Sequence, residues 1–374
     1  MGMVGGGPGA FIGQIHRMAA ALTGEISLVC GAFSTDPAAS REFGITLGLA
    51  PERSHPDYRA LLAAEAALPP QERIDLLAVV TPNASHCEIA CAALERGIAV
   101  FCEKPLATTV EEARQIAEAS RRNARPVALA HTYAAYPMVI EARQRVRRGE
   151  IGAIRKIMVD YTQGWLAPAR LPAEQKQAAW RMDPQRSGPS GCLGDIGVHA
   201  AHLAEYVTGR RITRLLADLG RTAGRALDDD AALLLRFDNG ARGVLTASQI
   251  SIGEENDLSF RIYGEHGHLR WRQQRPDSLM LAIGDGPVQV LRAGHSTLDS
   301  LTQAVSRLPP GHPEGYIESF ANLYKEFCTQ LRSGSTAWLP DVSDGVRGMQ
   351  FIESAIRSSE AGGCWTPLNA EDAA

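Results

Sequence analysis

Val4-Gly5-Gly6-Gly7-Pro8-Gly9-Ala10-Phe11-Ile12-Gly13 opens the chain, between a short apolar run from Met3 and a helical pattern expected to begin near Gly13. Glycines at such a junction let the backbone turn tightly and approach a pyrophosphate, whose charge the amides of a helix N-terminus stabilise. The spacing departs from Gly-x-Gly-x-x-Gly, because Gly5-x-Gly7 reaches Gly13 only after extra residues. A glycine-rich turn with no ligand is the plain alternative. A central strand of this kind needs about five or six residues, so the first strand is either stunted or continued upstream of Met1.

Outward from the loop, short apolar runs alternate with helical periodicity to about residue 150: Met3 to Gly5, Ile26 to Ser34, Ile74 to Val80, Ala99 to Cys102 and Pro126 to His131, with segments such as Val110 to Asn123 between them. That alternation is the mark of parallel strands joined by crossover helices. From Ile151 the pattern becomes a series of alternating strands, Arg155 to Thr162, Ile212 to Leu219, Ala231 to Phe237, Arg242 to Ser251, Leu258 to Tyr263 and His268 to Trp271. Tight-turn signals such as Asp238-Asn239-Gly240 join several of them, which predicts a mostly antiparallel sheet. A helix over Ile196 to Val207 interrupts this sheet, and helices over Pro313 to Arg332 and Ser343 to Ser359 close the chain. The expected fold is a doubly wound α/β domain over 1–133, then a substrate-binding and oligomerisation α+β domain with an open-faced sheet over 134–374, whose closing helices can pack back on the first domain.

The 374 residues are 45% hydrophobic, enough for two domains with real cores. Lys plus Arg number 38 against 42 Asp plus Glu, so the net charge of −4 offers no footprint for nucleic acid. No apolar run approaches the roughly 20 residues of a membrane span, and the first residues lack the pattern of an export signal. Seven scattered cysteines without a Cys-x-x-Cys pair point to reduced thiols and a cytoplasmic protein.

At the end of the second strand, where dinucleotide folds read the adenosine ribose, stand Ser34 and Thr35, then Asp36-Pro37 and Arg41. Hydroxyls in place of a carboxylate remove repulsion against a 2′-phosphate, so NADP is favoured over NAD. Asp36 reverses that preference if it holds the ribose, and the plain alternative is that Asp36-Pro37 starts the next helix.

Thr81-Pro82-Asn83-Ala84-Ser85-His86 and Glu103-Lys104-Pro105 follow the third and fourth strands, at the sheet edge where open α/β folds bind ligands. A lysine held there can hydrogen-bond a reacting oxygen, although Glu103-Lys104 alone also fits a surface ion pair. Ninety residues on, Gly188-x-x-Gly191-x-x-Gly194 leads into Asp195, His199 and His202, which a helix stacks on one face. If Asp195 is instead the N-cap, only the two histidines share it.

Together Gly13-x-x-His16, Thr81-Pro82-Asn83 to His86, Glu103-Lys104-Pro105 and Gly194-Asp195-Ile196-Gly197-Val198-His199 resemble the glucose-fructose oxidoreductase, inositol dehydrogenase and rhizopine-catabolism (Gfo/Idh/MocA) family over nearly the whole chain. The resemblance implies a Rossmann domain, an open-faced sheet domain and a nicotinamide cofactor, NAD(P). It also implies hydride transfer with a ring hydroxyl or ketone of a sugar or cyclic polyol. His199 would then exchange the hydroxyl proton, Asp195 support it and Lys104 polarise the same oxygen. Gly5, Gly7, Gly9, Phe11, Ile12, Ser34, Thr35, Arg41, Thr81, Asn83, His86, Glu103 and Lys104 would hold the cofactor.

His202 replaces an aspartate common in the family, which opens the substrate class and raises a metal alternative with Asp195 and His199; no metal is expected. Tyr133, after His131-Thr132, with Gln163, Trp165, Trp180 and Arg181, offers aromatic faces and polar donors suited to a polyhydroxylated ring. Trp165 and Trp180 also fit core or interface positions. A redox-neutral glycosidase or lyase and a non-catalytic sugar sensor are the alternative functions. The open sheet face calls for a cover, so a homodimer or homotetramer is expected.

Overall fold

The computed structural model describes residues 1–168, 180–222 and 224–368. The chain divides into two units: Met1–Ala130 with Gln185–Gly188 and Phe320–Met349, and His131–Pro184 with Pro189–Ser319 and Gln350–Ala374.

In the first unit β1 (Gly2–Gly5), β2 (Cys30–Ala32), β3 (Leu76–Val80), β4 (Ala99–Cys102) and β5 (Val127–Leu129) form a parallel sheet ordered β2-β1-β3-β4-β5. All five residues of β3, Leu-Leu-Ala-Val-Val, are buried, as a parallel strand covered on both faces requires. Crossovers are made by α1 (Phe11–Leu22), α2 (Pro37–Thr46), α3 (Tyr58–Ala67), α4 (His86–Leu94) and α5 (Val110–Asn123). In α5 the Thr109 hydroxyl caps the Glu112 amide, with Glu111 and Glu112 in the first turn and Arg121 and Arg122 in the last, all favoured by the helix dipole. The strand order reverses between β1 and β3, which places the ligand crevice at their carboxyl ends.

Two expectations are corrected here. The strand expected over Ile26 to Ser34 is only β2, because β1 pairs it from Gly2↔Cys30 to Val4↔Ala32 and Phe33 leaves the ladder to donate to Ser40 Oγ. Helix α1 starts at Phe11, not near Gly13, since the Ala10 amide closes a turn onto the Gly7 carbonyl at 3.0 Å.

The second unit opens with α6 (Pro137–Arg147) and β6 (Ile154–Thr162). It continues through α7 (Val198–Thr208), β7 (Ile212–Gly220), β8 (Asp230–Phe237), β9 (Arg242–Ser248), β10 (Asp257–Gly264), β11 (Gly267–Arg272), β12 (Ser278–Ile283) and β13 (Gln289–Arg292). With β14 (Thr366–Pro367) the sheet order is β13-β12-β11-β10-β6-β9-β8-β7-β14, antiparallel except for β6 against β9. Strands alternate: in β8 Ala231, Leu233, Leu235 and Phe237 are buried while Ala232 and Leu234 are exposed. Helix α7 packs on β6, β9 and β10, covering one face.

The strand expected to Ser251 stops at Ser248: the Gln249 amide makes one last in-register bond, to the Asp229 carbonyl, and the Ile250 amide then turns back to Ser248 Oγ. The helix expected over Ile196 to Val207 is a wide π turn, Leu193–Gly197, followed by α7. The closing helices start at Tyr316 and Val342, as α9 (Tyr316–Ser333) and α10 (Val342–Glu360), after a short unforeseen α8 (Ser300–Val305).

Candidate active site

In the first unit the glycine loop is a cradle that side chains would fill. Gly5, Gly6 and Gly9 have φ of 87°, 69° and 77°, where other residues are strained. A Cβ on Gly7 would meet the Phe33 carbonyl oxygen at 2.3 Å, and one on Gly13 would meet the Gly6 Cα at 2.3 Å. Gly6 and Gly13 therefore set the strand-to-helix packing. No side chain caps α1 and no carboxylate lies in its first turn, which suits a bound pyrophosphate. Phe11 is 59% exposed at the head of α1 and Ile12 is half-buried.

At the end of β2, Asp36 is the N-cap of α2: its Oδ1 accepts from the Ala39 amide at 2.8 Å, and Pro37 takes the first helical position. Ser34 Oγ accepts from the Asp36 amide at 3.1 Å, while Thr35 and Arg41 are exposed. Asp36-Pro37 thus starts a helix, and its carboxylate is fixed beside Ser34.

The segments after β3 and β4 are tied to each other by His86. This buried ring lies 2.9 Å from the Thr81 carbonyl through Nε2 and 3.0 Å from the Pro105 carbonyl through Nδ1. Burial lowers its pKa despite the carbonyls. Asn83 spends its amide on the Ser187 carbonyl at 2.8 Å, and Thr81 Oγ1 accepts from Ser85. Glu103 is buried; its Oε1 meets His16 Nε2 at 2.9 Å and its Oε2 accepts from the Lys104 amide at 3.0 Å. The other nitrogen of His16 reaches the Tyr324 hydroxyl at 2.7 Å. Burial opposes ionisation of Glu103, but the His16 hydrogen bond, the His16 and Lys104 charges and the Lys104 amide together hold its carboxyl below the usual range. Lys104 stands on this braced backbone, half-buried.

In the second unit the turn carrying Asp195 hangs from Asp228, a residue with no signal in its Asp228-Asp229-Asp230 run. Its carboxylate accepts from Ser190 Oγ, the Gly191 amide and the Leu193 amide at 2.7–2.9 Å. Asp195 is not an N-cap: its Oδ2 accepts from Gln249 Nε2 at 2.9 Å and lies 3.4 Å from Arg181 Nε, whose guanidinium rests 4.6 Å from the Trp180 ring. Asp195 thus lies in the π turn, while His199 and His202 lie in the α-helix that follows it.

His199 is buried, with Nδ1 3.3 Å from His131 Nδ1, and the Tyr133 ring stands edge-on to it at 5.0 Å. His202 stacks on His131 at 3.9 Å, and burial with the charges of Arg143 and Arg211 pushes its pKa down to about 3. It is neutral at physiological pH.

Beside His199 the Tyr133 and Tyr161 hydroxyls are 2.6 Å apart, Tyr161 donates to Asn256 Oδ1 at 2.8 Å, and Asn256 Nδ2 donates back to Tyr133 at 3.1 Å. In this closed cycle Tyr133 must donate to Tyr161. Burial raises both phenol pKa values, so both keep their protons. Gln163 Nε2 also donates to Asn256 Oδ1 at 2.8 Å, while its Oε1 accepts from Trp165 Nε1 and from Gln249. Gln249 and Asn256 complete this network, and their amides carry no mark in the sequence. Among the described residues no three His, Cys, Asp or Glu side chains converge as a metal would need.

The model of an oxidoreductase family with an NAD-binding Rossmann fold matches residues 1–131, and that of the GFO/IDH/MocA C-terminal domain matches 139–270. The chain belongs to the Gfo/Idh/MocA family. This Gfo/Idh/MocA oxidoreductase is 33% identical to an uncharacterized oxidoreductase, YfiI, of Bacillus subtilis, over 97% of the chain and 95% of the relative. The crystal structure of an inositol dehydrogenase homolog from Azotobacter vinelandii complexed with NAD+ superposes with a TM-score of 0.93 at 36% identity, covering 98% of this chain and 96% of that one. The homolog's complex with NADH and myo-inositol gives a TM-score of 0.89 at 35% identity, with the same coverage. The Gfo/Idh/MocA chain thus carries the nicotinamide-dinucleotide domain of an oxidoreductase, and none of its described helices is long and apolar enough to cross a membrane.

Proposed function

We propose that this oxidoreductase is a dehydrogenase of a cyclic polyol or pyranose ring. The observation that carries this reading is the half-buried hydrogen-bond network Tyr133–Tyr161–Asn256–Gln163–Gln249–Asp195 beside His199. Its amides and hydroxyls match a rim of ring hydroxyls, and the Tyr133, Tyr161 and Trp165 rings match the C–H faces. The myo-inositol complex of the Azotobacter homolog supports the same class.

The cofactor is held by Gly5, Gly6, Gly7, Gly9 and the start of α1, with Ser34, Thr35, Thr81, Asn83 and Lys104 along the carboxyl ends of the strands; when bound, the nicotinamide supplies the hydride acceptor. Buried His86 and Glu103 shape those segments through their hydrogen bonds. Asp36 carries a fixed charge beside Ser34, which favours NAD(H) over the NADP(H) that the hydroxyls alone favour. His199 takes the hydroxyl proton, Lys104 hydrogen-bonds the reacting oxygen, and Asp195 orients the polar chain. The outward face of the antiparallel sheet, where Ala232 and Leu234 of β8 are exposed, is the expected seat of a second copy of the chain.

The test is turnover of the purified protein with NAD+ against myo-inositol, scyllo-inositol and levoglucosan, followed by reduced nicotinamide. Reduction with at least one ring polyol supports the reading. Tight NADH binding with no net reduction across a wide panel of cyclic polyols and pyranoses refutes it.

A further inference from the structure

We infer that His131 is a positioning residue that sets the tautomer of His199 and shares the proton it gains. The inference rests on the proposed role of His199 as proton acceptor. His131 follows β5 and precedes the turn of Thr132–Ala135, so its ring is placed from outside the helix that carries His199. The two Nδ1 atoms lie 3.3 Å apart, with ring planes at 80°. Of two facing imidazole nitrogens one donates and the other accepts.

When His131 Nδ1 accepts, His199 holds its own proton on Nδ1 and presents the Nε2 lone pair to a substrate hydroxyl. The hydroxyl proton then moves to Nε2, the O–H bond breaks, and the imidazolium Nδ1–H donates to His131. A neutral imidazole thus stands where many proton-transfer sites place a carboxylate. The groups facing the pair agree with one shared proton and not two. His202 lies flat against His131, 3.9 Å away with planes 1° apart, and stays neutral. Tyr133 and Tyr161 keep their protons, and the Asp195 charge is engaged by Gln249 and Arg181. Arg143 lies beyond, over the Tyr206 ring.

The test follows the histidine ring nitrogens of the full chain by nitrogen-15 NMR across pH, without substrate, in wild type, His131→Phe and His131→Asn. Phenylalanine keeps an aromatic ring on His202 but accepts no proton; asparagine offers Oδ1 in its place. His131→Phe is expected to lower the His199 pKa by about one unit, the size of a lost hydrogen bond to the charged form, and to release the Nδ1–H tautomer. His131→Asn is expected to retain that tautomer. Unchanged His199 tautomer and titration in His131→Phe with native melting overturn the inference. If His131→Phe does not fold, loss of the Nδ1–H tautomer in His131→Asn overturns it instead. Near-wild-type turnover of His199→Ala with NAD+ and a ring polyol would instead sink the proposed function and leave the NMR result standing.

Discussion

His16 and Glu103 form a buried pair, Nε2 to Oε1 at 2.9 Å, that fastens the end of β4 to α1. The second carboxylate oxygen takes the Lys104 amide, so the same group that anchors the helix fixes the backbone of Lys104.

Glu103 ionises below the ordinary glutamate range in the folded chain. Its contribution to stability is therefore present above the unfolded value of about 4.3 and lost as pH falls through the folded one. Glu103→Gln is expected to flatten the fall of stability with pH below about 5 and to cost about 1–3 kcal/mol at neutral pH. Denaturant unfolding across pH measures both; wild-type stability with the wild-type acid slope refutes the assignment.

Gly13→Ala places a methyl against the Gly6 Cα at a distance no packing accommodates, so the loop or α1 must move. Overpacking of this kind costs about 1–3 kcal/mol. NADH affinity is expected to fall by about tenfold or more, the effect of losing one or two cradle hydrogen bonds, as read by quenching of tryptophan fluorescence. Undiminished affinity would show that the cradle is not the pyrophosphate site.

Asp36→Asn keeps an oxygen for the Ala39 amide and removes the charge beside Ser34. Melting is expected to stay within experimental error while the NADPH to NADH affinity ratio rises by up to about tenfold, the effect of deleting one near charge at an exposed site. An unchanged ratio would mean that Asp36 only starts α2.

Asp228→Ala strips three hydrogen bonds from the turn that carries Asp195. The loss is expected to be on the order of 3 kcal/mol, with kcat falling more than KM rises. A variant that melts like wild type would show that the turn is held by its packing alone.

Lys104→Ala and His199→Ala are each expected to slow turnover by about 10²-fold or more. Cofactor titration should remain within a few-fold of wild type. Turnover close to wild type in either variant removes that residue from the proton and oxygen chemistry.

Periodicity and punctuation made the architecture legible: turn residues bracket β3, β4 and α5, and Gly240, with φ of 83°, closes the β8–β9 turn that Asp238-Asn239-Gly240 signals. Strand ends were less legible, because Ile26–Val29 is apolar enough for a strand yet meets the first strand only through Met1, whose carbonyl accepts from the Val29 amide and whose amino group donates to the Ser27 carbonyl. The edge strand β13 and its neighbour β12 carry no clean alternation: Leu279 to Ala282 is a continuous apolar run, and β13 is mostly exposed. In the candidate site, Lys104, Asp195 and His199 stood out because each is a chemically versatile residue in a recognisable setting of glycine, proline or helical spacing. The site was illegible where common residues are recruited by long-range pairing. Asn256 reaches Tyr161 because β10 pairs with β6, Asp257 opposite Thr162, and Tyr324 reaches His16 across 308 residues.

The π turn at Leu193–Gly197 has a consequence for chain length. It winds one residue more into its span than an α-helix would. Removing Ile196 or Gly197 would let a regular helix run through and would rotate everything before it, Asp195 included, by about 100°. Asp195 would swing away from Gln249 with no functional side chain replaced. Spacing is thus itself an ingredient of the site: a one-residue gap in this segment displaces Asp195 as surely as a substitution removes it.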